Sequence, residues 1–164
     1  MTTLRADIAI SLIGTLRPSS PLDGGTIARL VASQSLTDGT TEDKADKLLM
    51  REPTIGASSN TEIDLQTATD THGVAVSMDE VVAIGIEVPE DGGALEVSPG
   101  ASNGWTGLLG SGSTLKLPAG SKVVLFNRLD PAWAVSGSNK TIKFAEFGGA
   151  LSVVPKITII GRSS

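Results

Sequence analysis

The chain is organised around the stretch Val81–Phe126, with an echo at Lys156–Gly161, where runs of alternating bulky apolar residues are separated by turn residues. Val82, Ile84, Ile86 and Val88 alternate with Ala83, Gly85 and Glu87. That is the period of a strand with one buried face, because successive side chains leave opposite faces of the backbone. Pro89-Glu90-Asp91-Gly92-Gly93 interrupts the run with turn residues, and Ala94 resumes it. The chain opens in the same way. Leu4, Ala6, Ile8, Ile10 and Leu12 alternate with Arg5, Asp7, Ala9 and Ser11, and Gly14 with Arg17-Pro18-Ser19-Ser20-Pro21 is expected to end this strand. Leu22-Asp23-Gly24-Gly25 reads as a turn. Thr26–Gln34 fits a strand or a helix, since Ile27, Leu30, Val31 and Gln34 also share a helical face; strand is the preferred reading.

Further along, Leu36–Asp46 is polar and reads as a solvated loop, Lys47–Glu52 as a strand stopped by Pro53, and Thr61–Thr67 as a strand with Ile63 and Leu65 on one face. His72-Gly73 marks a turn. Leu117–Gly120 matches a type I turn, with Pro118 second and Gly120 fourth. Ser136–Lys140 is another turn, Ile142 and Phe144 alternate after it, and Pro155 suits an edge or a bulge. Nine or ten strands at this turn spacing predict an all-β chain, a jelly-roll-like β-sandwich forming one domain over residues 1–164. The expected core is Ile8, Ile10, Val82, Ile84, Ile86, Val124, Phe126, Ile142, Phe144, Ile157 and Ile159.

Composition narrows the functions. Charged residues are 19% of 164, too few for a disordered chain of this apolarity. With only 3% aromatics and no tyrosine, the core has to be built from Val, Ile, Leu and Ala. The net charge of −5 and the lack of a basic run argue against nucleic acid, whose phosphates need a cationic stripe. The absence of cysteine removes disulfides and thiolate chemistry together. The N-terminus lacks the pattern of a signal peptide, and no apolar run has the length of a membrane span, so no membrane association is expected.

Candidate chemistry is thin. Asp38, Thr40 and Glu42 alternate as calcium ligands would, but Gly39 is misplaced for such a loop. His72 is the sole histidine and reads as a turn residue. The glycines around Trp105 lead into a strand rather than the helix a phosphate loop needs. Ser113 and Lys116 have S-x-x-K spacing without companion motifs. Asn139-Lys140-Thr141 is a formal glycosylation sequon in a predicted hairpin, where Asn suits positive φ. Glu62/Asp64 and Glu90/Asp91 read as strand-surface and turn acids. No catalytic, cofactor-binding or metal-binding residue is assigned, and no cofactor is expected. Leu4, Ile8, Trp105 and Trp133 are the candidate interface residues: the first two lie on an amphipathic terminal strand able to pair at a sheet edge, and large aromatics anchor interfaces and sugar-binding faces alike, burial in the core being at least as common a role for the two tryptophans.

The order of several stretches resembles a small virion protein of tailed bacteriophages. They are the alternating N-terminal strand ending in SLIGTL, then DGTTEDKADKLLMREPTIGASSNTEIDL, VVAIGIEV, GASNGWTGLLG, LPAGSKVVLF, PAWAV and VPKITIIGRSS. The resemblance is to capsid cement or decoration proteins. It implies a jelly-roll-like sandwich on the outer capsid surface, a non-enzymatic subunit bridging neighbouring copies of the major capsid protein, a homo-oligomer (dimer or trimer), and assembly in the bacterial cytoplasm. GIEVPEDGGALEV departs from the more polar loop expected there. The alternative reading is a receptor- or glycan-binding module of a phage tail or fibre.

Overall fold

A computed structural model describes residues 3–16, 26–149 and 151–163. In chain order the strands are β1 (Ala6–Leu16), β2 (Thr26–Asp38), β3 (Lys44–Ala45), β4 (Lys47–Arg51), β5 (Asn60–Asp64), β6 (Ala68–Thr69) and β7 (Ala75–Val76). They continue with β8 (Glu80–Glu87), β9 (Ala94–Pro99), β10 (Leu115–Leu117), β11 (Lys122–Phe126), β12 (Trp133–Ala134), β13 (Thr141–Phe147) and β14 (Lys156–Arg162). The described residues contain no helix, and nine of these strands have five residues or more. The expected end of β1 at Arg17–Pro21 and the turn at Leu22–Gly25 lie outside the described residues.

Two antiparallel sheets carry the core. One has the order β10-β9-β13-β5; the other has β11-β8-β14-β4, with β12 also on β8. Their facing sides enclose Leu49, Ile84, Ile86, Leu95, Val97, Ile142, Phe144, Ile157 and Ile159 in one cluster, a sandwich-like packing of two layers. Both Ile84 and Ile86 lie opposite β14 isoleucines, Ile159 and Ile157. Alternation therefore builds the inner layer directly from the residues that predicted it.

The outer face of the β8 sheet has a second, smaller core, and a bulge makes it. Ile160 pairs with Ala83, but Gly161 pairs with Val81, so Val82 is the extra residue on β8. The bulge turns Val82 outward and Val81 inward, giving Val82, Ala83 and Ile160 to the second cluster with Ile8, Leu36 and Ala45. Gly161 is needed here, because a Cβ would lie 2.5 Å from the Glu80 carbonyl oxygen and 2.6 Å from Met78 Sδ.

Several expectations are corrected. Val82 is buried, but outside the layer that holds Ile84. Val124 is 41% exposed. On edge strand β11, Val123 and Leu125 pair with Ile86 and Ile84 and share their face, so Val124 and Phe126 point outward. Phe126 packs, partly buried, on the second cluster, and Ile10 is only half-buried. Leu36–Asp46 is not a free loop: β2 runs to Asp38, β3 pairs with it in parallel, and Leu36 and Ala45 are fully buried. The turn after Leu117 lies one residue later than expected. The Ser121 N–H donates to the Pro118 carbonyl (3.1 Å), which puts Gly120 third with φ +80°.

Candidate interaction surface

The β1–β2 hairpin is paired in register from Ala6↔Leu36 to Leu16↔Thr26, eleven pairs with a length of roughly 35 Å at about 3.3 Å per residue. One face carries Ala6, Ile8, Ile10 and Leu12 opposite Leu36, Gln34, Ala32 and Leu30. Burial fades along it. Ile8 and Leu36 are buried, Ile10, Ala32 and Gln34 are half-buried, and Leu12 and Leu30 are 67% and 61% exposed. The other face is polar near the base, with Asp7, Ser35 and Ser33 exposed, but ends in Ile13 and Val31 at 59% and 49% exposure. The arm is thus amphipathic where it lies on its own sheet; beyond it the first face stays apolar, while the second sets Val31 opposite Ser11 and Ile13 opposite Arg29, all four exposed.

Polar contacts fix the base. The Leu4 N–H donates to Asp38 Oδ1 (3.0 Å), Ser35 Oγ to Asp7 (2.6 Å) and Gln34 Nε2 to Asp43 (2.8 Å). Arg128 then pairs with Glu42 (3.0 Å) and Asp43 (3.2 Å), joining the β2–β3 turn to the segment after β11. The acids that alternated like calcium ligands are therefore tied to backbone and arginine. Among the described residues, no three His, Cys, Asp or Glu side chains cluster as a metal would require.

Beside the base of the arm the outer sheet face is hollow. Val124, Gly85 and Thr158 form one row across β11, β8 and β14. Gly85 supplies no side chain to fill it. A space of about 330 Å³ opens there between Asp7, Ile8 and Ala9 of the arm and Ala83, Gly85, Val124, Thr158 and Ile160 of the sheet. It continues across Gly85 toward Glu87, Lys122 and Lys156, where Lys122 and Glu87 pair at 3.0 Å.

Of the four candidate interface residues, Leu4 and Ile8 come together in the second cluster, Leu4 partly buried and Ile8 buried. Trp105 is buried in the main core. Its Nε1–H donates to the Ala134 carbonyl (2.9 Å), and its ring meets half-buried Trp133 edge-on at 6.4 Å. Both tryptophans stand apart from the arm. Asn139 does not have the positive φ expected of it. Its Oδ1 accepts from the Thr106 N–H (2.7 Å), and its Nδ2 donates to the Ala134 carbonyl (3.3 Å), tethering the glycine-rich segment to the 136–139 turn. His72 donates its backbone N–H to Asp70 (2.8 Å) in an exposed turn. Ser113 lies in an exposed loop, while Lys116 pairs with Glu96 (3.7 Å) and sits 5.1 Å above the Phe147 ring centroid. Glu62 accepts from the Ala101 N–H (2.9 Å), and Asp64 pairs with Lys140 (2.8 Å).

Three buried or half-buried clamps have no signature in the local sequence. Fully buried Arg162 donates from Nη2 to Glu80 (2.9 Å) and to the Leu129 carbonyl. Buried Glu146 accepts from the N–H groups of Ser58 (2.6 Å) and Gly149 (3.1 Å). Asp46 accepts from the backbone N–H (2.8 Å) and hydroxyl (2.5 Å) of Ser163, which pins the end of β14. Each joins residues more than 30 positions apart or across a loop, so no local spacing announces it.

Compared with protein-family models, with curated proteins and with solved structures, the chain matches none.

Proposed function

We propose that this chain is a non-enzymatic structural protein of a tailed-phage virion, a cement or decoration subunit with a jelly-roll-like sandwich. It bridges copies of the major capsid protein on the outer shell as a homo-oligomer and assembles in the bacterial cytoplasm. The observation that supports this reading best is the arm. A hairpin roughly 35 Å long, built on an apolar seat and carrying exposed Leu12, Ile13, Leu30 and Val31 beyond it, is an element for joining subunits. The resemblance in the order of stretches to cement proteins points the same way. On a shell of many copies each contact can be modest, because avidity multiplies it.

A polar groove favours the second reading, a receptor- or glycan-binding module of a tail or fibre. About 400 Å³ opens beside the glycine-rich segment, among Glu96, Ser98, Thr106, Ser113 and Lys143. An aromatic stacking platform is missing from its walls, which weakens a sugar-binding role. A stained gel of purified virions separates the two. A cement subunit is present at a copy number comparable with the major capsid protein, whereas a trace band would overturn the cement reading and favour the adhesin. Attachment by apolar burial also predicts that moderate salt releases little protein from capsids, since screening acts on exposed charge.

A further inference from the structure

We propose that the polar groove beside the glycine-rich segment binds an acidic saccharide. Its floor is the outer face of the β10-β9-β13-β5 sheet. On β9, Leu95 and Val97 belong to the core, so Glu96 and Ser98 face outward. Register sets Ser98 directly opposite Lys143, and Lys143 opposite Glu62. The chain after β9 supplies the wall. Gly104, Thr106 and residues 111–114 enclose about 400 Å³ with Glu96, Ser98 and Lys143, within the roughly 300–1,000 Å³ of small-ligand clefts. The base of this wall is anchored. The Thr106 N–H donates to Asn139 Oδ1 (2.7 Å), and the Gly110 N–H donates to the Thr106 carbonyl (2.9 Å).

Two side chains on the floor point to a ligand. Ser98 is 7% exposed, and its Oγ has no hydrogen-bond partner among the described residues. A buried hydroxyl left unpaired is costly, and the alternation of β9 aims this one at the groove rather than the core. Lys143 lies half-buried beside it. The neighbouring acids on the sheet are engaged elsewhere: Glu62 accepts from the Ala101 N–H (2.9 Å), and Glu96 pairs with Lys116 (3.7 Å). Among the described residues Lys143 makes no ion pair, so its ammonium faces the groove uncompensated. An ammonium calls for an anionic group, which it holds by charge-assisted hydrogen bonds. The Glu96 carboxylate in the same groove repels a bare phosphate but accepts from hydroxyl groups, and the serine and threonine hydroxyls both donate and accept. One carboxylate and several hydroxyls on a compact molecule describe a uronic or sialic acid. The walls carry no aromatic ring, which counts against a neutral sugar or a nucleotide base held by stacking.

This deepens the glycan-binding reading above and rests on it for the biological role, but the two fail separately. The gel counts copies and is blind to the groove; a titration reads the groove and is blind to copy number. The test is isothermal titration calorimetry of the full chain at low salt. The probes are an oligogalacturonate, an oligosialic acid, a neutral maltooligosaccharide, a glutamate oligopeptide and inorganic phosphate. The expected result is binding of one or both acidic saccharides in preference to the other three, weakened by added salt. Lys143→Gln should raise the dissociation constant about 10-fold or more, and Ser98→Ala about 3-fold or more. Thermal stability of Ser98→Ala should be unchanged or raised, because the variant removes a buried hydroxyl that the fold leaves unpaired. A hydroxyl serving the fold alone would give the reverse, lower stability with affinity intact. The inference is overturned if neither acidic saccharide binds at about 1 mM, the weak end of the affinity scale. It is also overturned if the neutral saccharide, the peptide or phosphate binds as tightly, or if affinity is indifferent to Lys143→Gln or to Ser98→Ala.

Discussion

Ile84→Ala tests whether the inner layer has been correctly assigned. Ile84 is 1% exposed, pairs with Ile159 on one side and Leu125 on the other, and borders a small void together with Val97, Trp105 and Ile142 of the facing layer. Removing three carbons at about 0.8 kcal/mol each costs about 2.4 kcal/mol in transfer free energy. Strands hydrogen-bonded on both sides of β8 cannot close fully on the space left, so the residual cavity raises the loss to about 3–4 kcal/mol. Val124→Ala is the control, since that side chain is outward on the same sheet, and it should cost no more than about 1 kcal/mol. Urea unfolding followed by far-ultraviolet circular dichroism, at one fixed protein concentration, measures both. A loss below about 1 kcal/mol for Ile84→Ala, or an equal loss for the two variants, would show that the phase of the sheet is wrong.

Two more expectations follow from specific contacts. Gly161→Ala drives a methyl group against the Glu80 carbonyl and Met78 at the bulge, so thermal melting should show a loss of about 1–3 kcal/mol; a neutral effect would mean that the bulge relaxes freely. Burial pushes the Asp46 carboxyl up, but hydrogen bonds from Ser163 and Lys47 outweigh it and hold it below the usual carboxylate range; for Asp64, burial is likewise outweighed by Lys140 and the Gln66 N–H. Folded-state values below the unfolded ones mean that this stabilisation is present above the unfolded carboxylate pKa, about 3.9, and disappears as pH falls through the folded values. Stability measured from pH 6 to pH 2 should therefore drop at the acid end, and Asp46→Asn should flatten part of the drop; an unchanged acid limb would remove the Ser163 clamp from the account.

Alternation alone determined much of this molecule. Ile84, Ile86, Ile142, Phe144, Ile157 and Ile159 are inner-face residues because the two-residue period of a strand is a local property, readable without knowing its partner. Turn chemistry also announced the breaks after Val88, at His72-Gly73 and around Gly120, where residue type limits the backbone directly. Tertiary structure decided the rest wherever two apolar choices were locally equal. In Val123-Val124-Leu125-Phe126 both faces are apolar, and only pairing with Ile86 and Ile84 sends Val123 inward and Val124 out. Val82 continues the sequence period, yet one unmatched residue opposite Ile160 and Gly161 turns it to the other face. Leu36 and Ala45 lie in a polar stretch, and they are buried because the arm folds onto the outer sheet. The arm shows the division most clearly. Its amphipathic base was legible from Leu4 to Leu12, but which of those residues are covered depends on where the sheet beneath them ends.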